Sequence, residues 1–213
     1  MKEKIRIVEV GPRDGLQNEK KPIPLQLKVS FVEKLFAAGL EEVELTSFVR
    51  SDKIPQLADA KELTQEIARL GLLNKCWALV PNSKGVEIAQ SLGITNFAFF
   101  TSASETFNQK NINCSVSDSI QRIKDALVVL KGSKVRLRGY LSMVFGCPYE
   151  GEVPADKSLK LSQELLQLGI QEISLGDTIG FAGPTQVREL ISLFKKHIPL
   201  EAMAMHFHDT KGM

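Results

Sequence analysis

The sequence predicts an α/β fold of the (β/α)8 barrel type, with seven of its strands inside the 213 residues. Three observations predict it. A helical stretch that ends in glycine, followed within a few residues by a short apolar strand, recurs four times along the chain. The strands are apolar and rich in β-branched or aromatic residues, as strands buried on both faces are. The polar residues that could do chemistry fall on or just after strands far apart in the chain, and a closed barrel brings such strand ends to one mouth.

The first strand is predicted over residues 5–10. The repeated phrase then runs Phe31 to Gly39 with a strand at 42–46, Ala60 to Gly71 with a strand at 75–80, Val86 to Gly93 with a strand at 95–100, and Lys157 to Gly169 with a strand at 172–176. The glycines sit where a helix C-terminus needs a left-handed residue. The remaining strands are expected at 135–143 and 202–208. Such alternation argues for βα units and a parallel sheet. The longest interval between strands reads as a polar loop, Thr101 to Ser115, then a helix from Val116 to Leu130 with Ser117 and Asp118 at its start. No linker or shift in composition interrupts the chain, so residues 1–213 are expected to form one domain. A doubly wound open sheet also accommodates seven βα units. It loses support because no GxGxxG follows the first strand and because its outermost strands could not share a site. The barrel's last strand and helix are expected to be missing from this sequence. An open barrel exposes two unpaired edges, so the isolated chain is expected to associate or to be poorly soluble.

Composition narrows the function. Hydrophobic residues make up 43% and charged residues 24%, which excludes a disordered or low-complexity chain. The 27 basic and 25 acidic side chains leave a net charge of +2, so no nucleic-acid partner is called for. No apolar run reaches membrane-spanning length, so no membrane partner is expected. Cys76, Cys114 and Cys147 form an odd set without a CxxC, which argues against a disulfide framework and for a reducing compartment. The start of the sequence lacks a leader pattern. A cytoplasmic protein is expected, with a mitochondrial matrix protein after leader removal as the alternative.

Two of the three histidines, His206 and His208, lie two apart on a strand and therefore face one way. They can aim at one divalent metal ion, or they can be satisfied polar side chains on an edge strand. Asp209 beside them favours the metal. Asp14, in the Gly11-Pro12-Arg13-Asp14-Gly15 turn after the first strand, supplies the third ligand of a two-His, one-carboxylate face. That face is shared with iron oxygenases, and it also accepts Mg²⁺ or Mn²⁺ when substrate oxygens complete the shell. Glu44 is a carboxylate among apolar strand neighbours, so it must be paired. It is either a plain ion pair or a partner of Arg13 or of a metal-bound water. Asp177 either caps the following helix or belongs to the site. His197 reads as a solvated helix end, Cys76 as core, and Cys147 as a packed thiol on a turn. Cys114, at the end of the polar loop, has no basic neighbour in the sequence.

The motifs resemble one family. Val10-Gly11-Pro12-Arg13-Asp14-Gly15-Leu16-Gln17-Asn18-Glu19-Lys20 is similar to the first-strand signature of the 3-hydroxy-3-methylglutaryl-CoA lyases, metal-dependent carbon–carbon lyases on a TIM barrel. So are Thr46-Ser47-Phe48-Val49, Lys110-Asn111-Ile112-Asn113-Cys114-Ser115 and Gly146-Cys147-Pro148-Tyr149-Glu150-Gly151. Ser174-Leu175-Gly176-Asp177-Thr178-Ile179-Gly180 and His206-Phe207-His208-Asp209-Thr210 complete the set. Related condensing synthases share the Arg-Asp-Gly core, but they usually carry Asp-Thr where this chain has Gly11-Pro12. A condensing synthase or aldolase on the same barrel, or an inactive truncated product, are the alternatives.

The resemblance implies retro-Claisen cleavage of 3-hydroxy-3-methylglutaryl-CoA to acetyl-CoA and acetoacetate, within leucine degradation and ketone-body metabolism. It implies Mg²⁺ or Mn²⁺ on Asp14, His206 and His208. It makes Arg13, Glu44 and His206 catalytic, and Arg13, Gln17, Arg138, Tyr140, Ser174 and Asp177 binding residues for the acyl-CoA substrate. It also implies a homodimer or higher homo-oligomer. The family's proton-donating cysteine loop and a further metal-binding asparagine fall beyond the last residue of this sequence. Lys211 and Met213 differ from the Tyr and Gln of the family pattern.

Overall fold

A computed structural model describes residues 5–210 and 212. The first four residues and the departures at Lys211 and Met213 lie outside the described residues. Helices and strands alternate in the order β1 (Val8–Glu9), α1 (Leu25–Ala37), β2 (Glu42–Ser47), α2 (Ala60–Arg69), β3 (Cys76–Leu79), α3 (Ser83–Ser91) and β4 (Asn96–Ser102). Then follow α4 (Glu105–Ile112), α5 (Val116–Val129), β5 (Arg136–Ser142), a small hairpin of β6 (Gly146–Cys147) and β7 (Gly151–Glu152), α6 (Ala155–Gln167), β8 (Glu172–Asp177), α7 (Pro184–Phe194) and β9 (Met203–Phe207). Among the described residues no helix is long and apolar enough to cross a membrane.

The chain divides into two compact units. One holds the residues up to Ala98 with Ala126–Val135; the other holds Phe99–Asp125 and the chain from Arg136 onward. In the first unit β1, β2, β3 and the start of β4 are parallel, with Val8 opposite Glu42, Val43 opposite Cys76 and Trp77 opposite Asn96. Leu45 and Cys76 pack with Val29, Val32, Leu63 and Ile67 of α1 and α2 into a core. Alternation along β2 then sends Glu42 and Glu44 to the other face. The register shifts between Glu44 and Thr46, a bulge that re-aims the end of the strand.

In the second unit β5, β8 and β9 are parallel. Arg138 stands opposite Glu172, Tyr140 opposite Ser174, and Gly176 opposite His206. Gly139 marks the face that packs on α6, because a Cβ there would stand 3.2 Å from Leu165 and 3.4 Å from Ile170. Its neighbours Arg138 and Tyr140 therefore share the opposite face with Glu172, Ser174 and His206.

Three expectations need correction. The strand expected over 5–10 pairs only at Val8–Glu9. Ile5 and Ile7 stay exposed, while the Arg6 guanidinium turns to Glu42 at 3.1 Å. The expected polar loop 101–115 contains α4, whose sequence ETFNQKNI has no apolar stripe to announce it. Its ends are marked instead by Ser104, whose Oγ accepts the Phe107 N–H at 3.1 Å, and by Asn113 in the left-handed region at φ 51°. Helix α5 is started by Ser115, not Ser117: Ser115 Oγ accepts the Asp118 N–H at 3.0 Å and donates to Asp118 Oδ2 at 2.7 Å. That bond holds the Asp118 carboxyl below its ordinary range.

Candidate active site

In the first unit the site is built on the turn that follows β1. Gly11–Gly15 winds as a single π-helical turn, in which the Leu16 N–H donates to the Gly11 carbonyl and the Asp14 N–H donates to the Val10 carbonyl at 2.7 Å. Gly11 lets the Glu9 carboxylate fold back onto the turn. Its N–H donates to Glu9 Oε1 at 2.7 Å, and a Cβ would meet that same oxygen at 2.8 Å. Pro12 is buried, and its fixed φ suits the start of a helical turn.

The turn drives Arg13 inward, to 7% exposure. Its Nε donates to Glu44, which is fully buried on β2, and its Nη1 donates to Asp14 Oδ1 at 2.8 Å. A buried carboxylate must be paired, and Arg13 supplies Glu44 with a cation. The guanidinium is thus held at two of its nitrogens. Asn18 Nδ2 donates to the Asp14 carbonyl at 2.8 Å and stiffens the same turn. Gln17 is half-buried just after it. The expected grouping of Arg13, Asp14 and Glu44 is therefore present in this unit.

In the second unit the candidate residues gather at the ends of β5, β8 and β9. His206 and His208 stack with ring centroids 5.0 Å apart and planes 14° apart. The Tyr140 ring meets His206 edge-on at 6.3 Å. Ser174 is buried on the same face. Asp177 is 3% exposed at the end of β8. Its two oxygens accept the N–H groups of Phe181 and Ala182 at 2.8 and 2.9 Å. It therefore shapes the loop before α7. The N-cap of α7 is Gly183, whose N–H is taken by Gln186 Oε1 at 2.9 Å. Arg138 lies two residues before Tyr140, in a buried ion pair with Glu172.

Gly180 closes the Ser174–Gly180 segment, in the loop after β8. It sits at φ +60°, and a Cβ there would fall 2.0 Å from Thr210 Oγ1 and 2.5 Å from the His208 carbonyl oxygen. The loop after β8 thus presses on the segment that carries His208. Thr210 Oγ1 donates to the Gly180 carbonyl at 3.0 Å and closes that contact. Only glycine fits. A glycine three residues after the strand-end Asp177 was the available signal.

Two polar residues after β4 belong to the scaffold. Ser104 caps α4, and Glu105 Oε2 accepts the Val116 N–H at 2.9 Å. Cys147 is 3% exposed, with its Sγ 3.0 Å from Ser104 Oγ. Cys76 is core as expected, and burial pushes its thiol up to about 12. Cys114 is also buried, and its thiol is raised for the same reason. His197 is exposed beyond α7.

Parallel βα units with ionisable side chains at the strand C-termini define an enzyme of the α/β barrel class. The family can be stated as well: the HMGL-like family model matches residues 4–213, and the chain belongs to that family. It is 46% identical to the 3-hydroxy-3-isohexenylglutaryl-CoA/hydroxymethylglutaryl-CoA lyase of Pseudomonas aeruginosa, over 98% of this chain and 69% of that protein. It is 43% identical to the mitochondrial hydroxymethylglutaryl-CoA lyase of Bos taurus, over 98% of this chain and 64% of that protein. The crystal structure of the hydroxymethylglutaryl-CoA lyase from Pseudomonas aeruginosa superposes with a TM-score of 0.93, covering 99% of this chain and 70% of that one. The chain therefore carries the barrel-type fold of these lyases and spans about two thirds of their length.

Proposed function

We propose that the chain carries the chemistry that cleaves 3-hydroxy-3-methylglutaryl-CoA into acetyl-CoA and acetoacetate. The observation that carries this reading is the buried arginine Arg13, fixed by Glu44 and Asp14. An immobile cation of this kind suits an oxyanion that appears only during reaction.

In this reading the carbon–carbon bond between C2 and C3 breaks after the 3-hydroxyl loses its proton. Negative charge then grows on the thioester oxygen of the departing acetyl-CoA enolate. Arg13 donates to that oxygen, and because Glu44 already holds its Nε, no reorganisation is needed as the charge forms. A base takes the hydroxyl proton, His206 or Asp14 shuttles it, and the enolate carbon takes up a proton to leave acetyl-CoA; the Tyr140 ring packs against the edge of His206. Gln17, Ser174 and Asp177 bind the acyl-CoA around them, and Arg138 is the deeper member of that set. We assign Glu172 the task of holding Arg138 in place.

Two imidazoles and one carboxylate suit a divalent cation. The parallel stacking of His206 and His208 supports the idea that both rings address one point. Asp14, His206 and His208 would hold Mg²⁺ or Mn²⁺, which when bound supplies polarisation of the substrate's hydroxyl and carboxylate oxygens. We further read the active form as a homo-oligomer acting on a soluble acyl-CoA thioester, in the cytoplasm.

The test is release of acetoacetate from 3-hydroxy-3-methylglutaryl-CoA, with Asp14→Asn as the control. Cleavage by the native chain that disappears in Asp14→Asn supports the assignment. Undiminished turnover in Asp14→Asn overturns it.

A further inference from the structure

Lys28 lies in α1, outside the constellation above, yet it is one of the most deeply buried side chains of the protein, at 2% exposure. A buried ammonium must be paired and hydrogen-bonded. Its Nζ donates to the backbone carbonyl of Gln56 at 2.5 Å and to Asp59 Oδ1 at 2.6 Å. Asp59 occupies the N-cap position of α2, where an Asp side chain normally accepts an N–H from the first turn. It makes no such cap bond. Its carboxylate goes to Lys28 instead.

Gln56 continues the chain of contacts. Its side-chain Nε2 donates to the backbone carbonyl of Glu19 at 2.7 Å. Glu19 lies two residues after Gln17, in the loop that leads away from Arg13 and Asp14. One buried ammonium therefore fixes the short 3-10 turn Pro55–Leu57, and that turn holds the loop at residues 16–20.

We propose that Lys28 and Gln56 are positioning residues that hold residues 16–20 in the shape that presents Gln17 to the acyl-CoA substrate. The inference rests on the lyase reading for its kinetic consequence, and on geometry alone for the clamp. Lys28 never touches substrate. It acts through the Gln56 carbonyl, and Gln56 acts through the Glu19 carbonyl. The arrangement also explains the sacrifice of a helix cap at Asp59, which a purely local reading of α2 leaves without purpose.

The experiment compares the 213-residue chain with Gln56→Ala, which removes the one bond to Glu19, and with Lys28→Met, which keeps most of the buried stem. Amide hydrogen exchange is followed over residues 16–20 together with steady-state cleavage of 3-hydroxy-3-methylglutaryl-CoA. The expected result is exchange at 16–20 at least tenfold faster in Gln56→Ala, with exchange in α1 and β2 unchanged. KM is expected to rise about tenfold with kcat within twofold of native. Lys28→Met is expected to reproduce the KM effect, and the double variant to be no worse than Lys28→Met alone. Unchanged exchange at 16–20 in Gln56→Ala overturns the clamp. Faster exchange with unchanged KM in an active enzyme overturns its positioning role. If the native chain does not cleave the thioester, the lyase reading has failed, and the exchange result alone still decides the clamp.

Discussion

Arg13 donates its Nε–H to Glu44, a carboxylate 31 residues further along the chain and wholly buried. Both side chains are buried, and Arg13 also donates to Asp14. Removing one member of a buried ion pair is strongly destabilising, by roughly 3–5 kcal/mol. Arg13→Met is therefore expected to do two things. It lowers kcat by two or more decades, the loss of an oxyanion donor being worth about 2.7–4 kcal/mol. It also destabilises the chain through Glu44. Glu44→Gln keeps a hydrogen-bond acceptor and removes the charge, so it should fold better than Arg13→Met. Urea unfolding and steady-state kinetics on both variants check this. A rise in KM alone for Arg13→Met would show that Arg13 only binds substrate.

Chelation provides a second expectation. Treatment with EDTA should abolish cleavage, and Mg²⁺ or Mn²⁺ should restore it. His208→Ala should raise the metal concentration for half-maximal activity by tenfold or more, and Asp14→Asn should not be rescued by any concentration tested. Full activity after exhaustive chelation would sink the metal assignment.

Gly180→Ala should act on His208 without touching it chemically. The added Cβ collides with the His208 carbonyl oxygen and the Thr210 hydroxyl, at a backbone angle that an L side chain resists. The chain segment carrying His208 must shift. A shift there is expected to weaken metal binding by the tenfold to hundredfold seen when ligand supports are lost. Isothermal titration with Mn²⁺ measures it. Native affinity in Gly180→Ala would show that the contact is slack.

The Arg138–Glu172 pair is buried on both sides. Arg138→Met is expected to cost more stability than Arg138→Met combined with Glu172→Met, because breaking one side of a buried ion pair costs more than replacing both members with apolar groups. Denaturant midpoints of the two single variants and the double variant complete the cycle. Strictly additive losses would mean that the pair is not coupled.

The pH dependence follows from two groups with opposite signs. Burial raises the Cys76 thiol to about 12 from an ordinary value of 9.0. The folded chain then keeps a proton that the unfolded chain has lost. The stability contributed by neutral Cys76 is complete below about pH 9 and drains away as pH climbs towards 12. Native Cys76 should resist iodoacetamide at pH 8. For Glu150, burial is the largest single influence and acts to raise the carboxyl, but hydrogen bonds from Thr106 and Ser104 and the charge of Lys157 together outweigh it and the net shift is downward. Its contribution is present at neutral pH and is lost as pH falls through the lowered value. Glu150→Gln should therefore flatten the acid limb of the stability curve. Thermal melts across pH 3–11 test both limbs.

Much of this protein was legible without coordinates, because strand and helix type depend on local pattern. Helical stretches closed by glycine and followed by short apolar runs placed the strands after Gly39, Gly71, Gly93 and Gly169 close to where they lie. The spacing of His206, on β9, and His208, just past its end, was enough to put both rings on one side. Helix α4 escaped because a helix without an apolar stripe is visible only through its caps, Ser104 and Asn113. The tertiary structure alone decided the partners. Nothing near Lys28 in the sequence marks a lysine that will be buried, since its charge is satisfied by Asp59 and a carbonyl 28 residues away. Nothing near Arg138 names Glu172, 34 residues on. Local sequence sets what a segment can be, because backbone propensity and hydrophobic period act over a few residues. Which buried charge meets which is settled only when the chain folds, because an ion removed from water must find its counter-charge wherever packing brings one.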